Sequence, residues 1–303
     1  MLCGGCKRQT IISQLGIPTR RIRRVCRLRT TYMPVLWLRV AVAFYAVGLL
    51  YALVALTRGS EWLQRIALPA MRMGMLFHLV SLVEAFVSTG HLTWASVHNS
   101  ESLLAMLIMV FFMVIYTKYH TASPGIVVFP LVFLLTFVAA TGQQPFLFTS
   151  EGLRTGWLLA HIALIFTGYA ALFLSFGTSL LYLVQERNLK SKQPGGILSR
   201  LPALETIDEI GYRSLLLGFP FMTLGLIAGS VVAQAKFGPV YFMDPKVLLS
   251  LLMWALYMVM LYTRWNSGWR GRRAAYLASF AFAAAVVAWA ANYFSGMHRF
   301  VAS

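Results

Sequence analysis

The chain has 303 residues, 59% of them hydrophobic and only 12% charged, with a mean hydropathy of +0.70, which excludes an ordinary soluble globule and indicates a polytopic membrane protein. The formal charge of +17 points toward nucleic acid only until its distribution is read, because Lys7, Arg8, Arg20, Arg21, Arg23, Arg24, Arg27 and Arg29 all fall in the first 32 residues, which hold no acid. The remaining charge of about +9 is what basic loops facing anionic lipid carry, so the bilayer and not a nucleic acid is the expected partner.

That basic leader, residues 1–32, also contains all three cysteines, Cys3, Cys6 and Cys26. Cys3-x-x-Cys6 has no second pair to complete a zinc site, so the cysteines read as reduced or incidental. Beyond the leader, residues 33–303 form one transmembrane domain. Charge-poor runs of about 20 residues, enough to cross a bilayer, are predicted at Val35–Thr57, Ala67–Ser88, Ser102–Thr117, Gly125–Thr141, Gly156–Val184, Ser214–Ala235, Val247–Thr263 and Ala274–Phe294. The expected fold is therefore all-α, an integral membrane bundle of about eight transmembrane helices.

Arg58, Arg65, Arg72, Lys118, Arg187, Lys190, Lys192, Arg200, Arg213, Arg264, Arg270, Arg272 and Arg273 fall on one side of these spans. The other side, leader excluded, has Arg154, Lys236, Lys246 and Arg299. Short loops rich in Lys and Arg stay in the cytoplasm, so the first side is expected to be cytoplasmic. Eight spans then put both ends of the chain outside, which conflicts with the basic leader. Either one weak span is not a crossing, or the leader is not part of the working protein; Met33-Pro34, directly before the first span, favours the second. A secretory signal is not the reading, because no small-residue cleavage site follows the apolar run.

Within the spans, His78 and Glu84 lie in the second. An ionisable group inside a bilayer faces a protein interior or a cavity, so His78 is a candidate ligand or a hydrogen-bonded interior histidine. His91 and His98, in the next outer loop, form only a weak metal signal, and His120 reads as a solvated loop residue. His161 falls in the first turns of the fifth span, on the outer side, followed by Thr167, Gly168 and Tyr169, groups suited to close helix packing. The segment Gln185–Gly211 is the largest cytoplasmic loop, and no phosphate-cradling, serine-elbow or HExxH motif occurs anywhere in the chain. Between the sixth and seventh spans, Gly238-Pro239 breaks one helix, and Asp244-Pro245 supplies a cap and a first-turn proline for the next.

From residue 208 the chain carries Asp208-Glu209, Tyr212-Arg213, Gly218-Phe219-Pro220, Thr223, Gly225, Gly229, Asp244-Pro245-Lys246, Trp254, Thr263-Arg264 and Gly268-Trp269-Arg270-Gly271-Arg272-Arg273-Ala274. This pattern resembles the cytochrome c assembly family of CcsA/ResC and CcmC type, densely over about the last 100 residues and more loosely upstream, where His78, Gly90-His91 and Ser100-Glu101-Ser102-Leu103 look like its early histidine segment. The resemblance implies a haem-binding membrane protein of a bacterial cytoplasmic membrane, holding non-covalent b-type haem on the outer, periplasmic side. It also implies haem handling and presentation and not independent catalysis, with a maturation partner membrane protein and apocytochrome c as partners.

By the same resemblance His161 and His298 would be the axial iron ligands, with Phe237, Tyr241 and Asp244 in the outer loop and His78 as further cofactor-binding candidates. Phe237, Tyr241 and Met243 stand where the family carries tryptophans, and Tyr262 stands where one branch carries another haem histidine. These departures are similar to those of divergent HemX-like relatives, for which a non-catalytic scaffold or regulator of haem metabolism is the alternative function. A transporter for another solute has less support, since no paired broken-helix halves are evident.

Overall fold

The structure, a computed structural model, describes residues 19–57, 61–89, 97–141, 156–191, 202–237 and 243–290. These form eight helices: α1 (Thr19–Thr57), α2 (Glu61–Thr89), α3 (Val97–Tyr119), α4 (Gly125–Thr141), α5 (Gly156–Lys190), α6 (Leu204–Phe237), α7 (Pro245–Asn266) and α8 (Arg272–Ala290). No strand occurs among the described residues. Six helices, α1, α2, α3, α5, α6 and α7, are long and apolar enough to cross a membrane. The two others, α4 with 17 residues and α8 with 19, occupy the predicted fourth and eighth spans. The protein is a polytopic helical membrane protein.

Its outside shows why lipid is the required solvent. Leu76, Leu79 and Val83 of α2 and Leu217, Leu224 and Ile227 of α6 are all exposed, a surface that water would penalise and hydrocarbon does not. The interior gathers around two apolar clusters. The first joins α1 to α4 through Tyr45, Met71, Ile108, Met109, Phe112 and Phe129, with Phe173 and Leu174 of α5 at its edge. The second joins α5 to α8 through Leu172, Met222, Met253, Tyr257 and Ala281. Phe176 of α5 stacks on Phe282 of α8 at 4.2 Å between ring centres, and both rings pack against the first cluster.

The helices α5 and α6 run antiparallel and form the most intimate pair, and the reason is a row of glycines on α6. A methyl group on Gly218 would lie 2.5 Å from Cβ of Ala171, and one on Gly225 would lie 2.8 Å from Cδ1 of Ile165. On the facing helix, a methyl group on Gly168 would lie 3.1 Å from Cβ of Met222. Small residues thus let the two backbones approach, as membrane helices require when lipid offers no hydrophobic drive. The third helix is tied in by Tyr257 of α7, whose buried hydroxyl donates to the Gly168 carbonyl at 2.8 Å, and by Trp254, whose Nε1–H donates to Thr223 Oγ1 at 3.0 Å.

One expectation changes. The segment Gln185–Gly211 is not a loop throughout: α5 continues to Lys190 and α6 already begins at Leu204. At 1.5 Å per residue the 35 residues of α5 reach about 52 Å, beyond the roughly 30 Å hydrocarbon core, so both helices run on into water. There they carry the same-face pairs Glu186–Lys190 and Glu209–Arg213, which favour helix where hydropathy no longer does. The first helix begins at Thr19, so residues 19–32 are helical and continuous with the first span.

Candidate functional site

His161 lies in the second turn of α5, between exposed Trp157 and buried Ile165, and its ring rests on the backbone of α6. Its Nδ1 sits 2.6 Å from the carbonyl oxygen of Gly225. A carbonyl can only accept, so Nδ1 carries the proton and donates it. In the neutral ring the lone pair is then on Nε2. One turn further along α6, a methyl group built on Gly229 would come within 2.5 Å of Nδ1 and 3.2 Å of Nε2, so the ring fills the space that a side chain there would take. The sequence reading named Gly225 and Gly229 within the family pattern but not as the partners of His161. The available signal was the spacing of Gly211, Gly218 and Gly225 at seven-residue intervals, the mark of one small-residue face on a helix.

Asp244 is buried and stands immediately before α7. Its carbonyl accepts the Leu248 N–H at 3.1 Å and Pro245 follows it, which is the capping arrangement expected from the sequence. The break between the sixth and seventh spans also stands at the expected place, with α6 ending at Phe237 and α7 starting at Pro245. The antiparallel pairing of α5 and α6 sets the start of α5, the end of α6 and the start of α7 at one end of the bundle. His161 and Asp244 are therefore at the same end. Tyr241 and His298 lie outside the described residues, as does the side chain of Phe237.

His78 occupies a different place. It is wholly buried in the first helix group, with Nε2 at 2.8 Å from Ser102 Oγ of α3 and Nδ1 at 3.4 Å from the Tyr45 hydroxyl of α1. The Tyr45 ring meets it edge-on. Both ring nitrogens thus serve a link between three helices. His120 is exposed, and its N–H bonds the Tyr116 carbonyl at 2.9 Å as a terminator of α3, with φ of +50°. Among the described residues no three His, Cys, Asp or Glu side chains converge as a metal site.

The opposite end of the second group is held by charge. Arg264 forks onto Asp208 at 2.6 and 3.0 Å, the Gly271 N–H adds a third bond to the same carboxylate at 3.1 Å, and the guanidinium lies over the Tyr212 ring. Gly268 and Gly271 have φ of +61° and +62°, a backbone region in which only glycine is unstrained, so the tight turn between α7 and α8 explains both. A cavity of about 40 Å³ beside this cluster, lined in part by Ser175, Thr178, Tyr182 and Asp208, has room for water and none for a porphyrin.

Residues 94–298 match the family described as cytochrome C assembly protein, a span that includes His161, Asp244 and His298 and excludes His78. The chain belongs to that family. It is similar to the cytochrome c biogenesis protein CcsA of Guillardia theta, 30% identical over 210 residues that cover 62% of this chain and 69% of the relative. The CcsA proteins of Heterosigma akashiwo, strain NIES-293, and Crocosphaera subtropica are also similar. They are 29% identical over 219 residues, covering 60% of this chain and 68% of the relative, and 25% identical over 283 residues, covering 75% and 84%. Within the family region three kinds of contact are defined. Glycines close the α5–α6 contact, Asp208 and Arg264 fasten one end, and His161 at the other end carries a defined tautomer.

Proposed function

We propose that the protein acts in cytochrome c biogenesis as a haem-binding membrane protein, holding non-covalent b-type haem at the outer, periplasmic face of a bacterial cytoplasmic membrane and presenting it to a maturation partner and its apocytochrome. The observation that carries this reading is the His161 hydrogen bond to the Gly225 carbonyl. A histidine that ligates a metal commonly donates its other ring N–H to a backbone carbonyl or carboxylate, which fixes the ring and raises the basicity of the ligating nitrogen. An imidazole held in this way would fit a haem-iron ligand. His161 and His298 would hold the iron, with Phe237, Tyr241 and Asp244 about the ring. Bound haem would supply the iron and the porphyrin edge that an acceptor protein takes over. The chain's own part is to bind, orient and release, and it needs no acid, base or nucleophile.

A second reading, a HemX-like scaffold or regulator, is favoured by one feature of the loop between the sixth and seventh spans: Phe237, Tyr241 and Met243 stand where the resemblance leads one to expect tryptophans. Phenyl and phenol rings still stack on a porphyrin, but the indole N–H donors are gone. Spectra of the purified protein separate the two. Haem handling requires a Soret band that is lost or shifted in His161→Ala and in His298→Ala. A protein that takes up no haem supports the scaffold, and an unchanged band in both variants overturns the ligand assignment.

A further inference from the structure

The contact between His161 and α6 does more than hold a side chain in place. Gly225 and Gly229 are four residues apart, so they share one face of α6; the imidazole lies over Gly229 and reaches the Gly225 carbonyl. The Gly225 carbonyl already closes the helix ladder toward residue 229, and its second lone pair is the one aimed at Nδ1, at 2.6 Å. At Gly225 a methyl group would also meet the Ile165 backbone nitrogen at 3.0 Å, so α5 cannot come this close over any larger residue. At Gly229 a methyl group would displace the ring itself.

We propose that Gly225 and Gly229 form a tautomer-selecting cradle for His161: the Gly225 carbonyl captures the proton on Nδ1, and the bare backbone at Gly229 lets the ring lie flat enough for that bond. In water a neutral histidine prefers the proton on Nε2, the nitrogen an iron needs unprotonated. The cradle reverses that preference before any ligand arrives. It removes a tautomer change from the binding step and fixes the direction in which the Nε2 lone pair points. Gly229 and Gly225 are positioning residues, acting through His161 and touching no cofactor. The proposal deepens the haem-ligation reading and rests on it for its purpose, though not for its geometry.

Nitrogen-15 spectra of the histidine-labelled, haem-free protein in lipid nanodiscs, well above the ordinary imidazole titration range, test the geometry directly. His161, assigned by its loss in His161→Gln, is expected with Nδ1 protonated and Nε2 unprotonated. Gly229→Ala is expected to move it toward the Nε2–H form, whereas Ser230→Ala, one residue along, leaves it unchanged. A wild-type His161 with the proton on Nε2 overturns the proposal whether or not the glycine variant folds, and an unaltered tautomer in a folded Gly229→Ala removes Gly229 from it. Haem titration of the wild type is read separately: no Soret band ends the ligand reading while the tautomer result stands, and a Soret band that broadens or shifts in Gly229→Ala joins the two.

Discussion

Asp208 and Arg264 are 56 residues apart in the chain and meet in a two-point ion pair, with the carboxylate further bound by the Gly271 N–H. Their side chains are 16% and 10% exposed, so the pair joins α6, α7 and the start of α8 largely out of water. Removing one member of such a pair strands the other charge, at a cost of about 3 kcal/mol. Asp208→Asn and Arg264→Leu are each expected to lower the unfolding midpoint in detergent clearly. The double variant is expected to lose less than the sum of the two, because neither charge is left alone. Additive losses in that cycle end the account of the pair as a coupled fastening.

At the middle of the bundle the tolerance is steric. Gly218→Ala would push a methyl group against Ala171 and the Tyr257 hydroxyl, 2.5 and 2.8 Å away, and overpacking of this kind costs about 1–3 kcal/mol. Tyr257→Phe removes a buried donor from the Gly168 carbonyl and is expected to cost about 1 kcal/mol. Gly268→Ala has open space around it but a φ of +61°, so it is expected to cost about 1 kcal/mol through backbone strain alone. Unfolding midpoints of the three variants check the series, and a harmless Gly218→Ala would show that α5 and α6 are not held by contact at that glycine.

What the sequence revealed depended on how local the cause was. The start of α7 was legible because Asp244-Pro245 acts on its own next residues. The extension of α5 to Lys190 was not legible from hydropathy, which fails at Val184, because side-chain pairs four residues apart sustain the last turns in water. His161 could be picked out as an unusual residue in an apolar span. That Gly225, 64 residues away, would be its partner could not be read, since that contact follows from the register of two packed helices. His78 shows the same limit from the other side: a histidine in mid-span reads as a ligand or a link, and the sequence does not show that Ser102 and Tyr45 lie against its two nitrogens.

For His78 the geometry yields a discriminating variant. His78→Ala leaves Ser102 and Tyr45 without their ring partner and opens space in a wholly buried site, for an expected loss of about 2–4 kcal/mol. Ser102→Ala removes only the 2.8 Å bond, about 1 kcal/mol. Both are expected to bind haem with an unaltered Soret band once folded. Loss of the band in a stable His78 variant would place this residue among those that hold the cofactor.

The assignment of faces can be tested at two exposed positions at opposite ends of the bundle. Ser191 follows the basic end of α5, where Arg187 and Lys190 sit in the last turn, and Met243 immediately precedes Asp244 and is 78% exposed. Lys and Arg in short loops resist translocation, so the Ser191 end is expected in the cytoplasm and the Met243 end outside. In a background lacking Cys3, Cys6 and Cys26, Met243→Cys should react with a membrane-impermeant thiol reagent in intact cells. Ser191→Cys should react only after the membrane is opened. The reverse pattern would put His161, Asp244 and the loop between α6 and α7 in the cytoplasm, and presentation of haem to an acceptor outside could not then proceed from that end of the bundle.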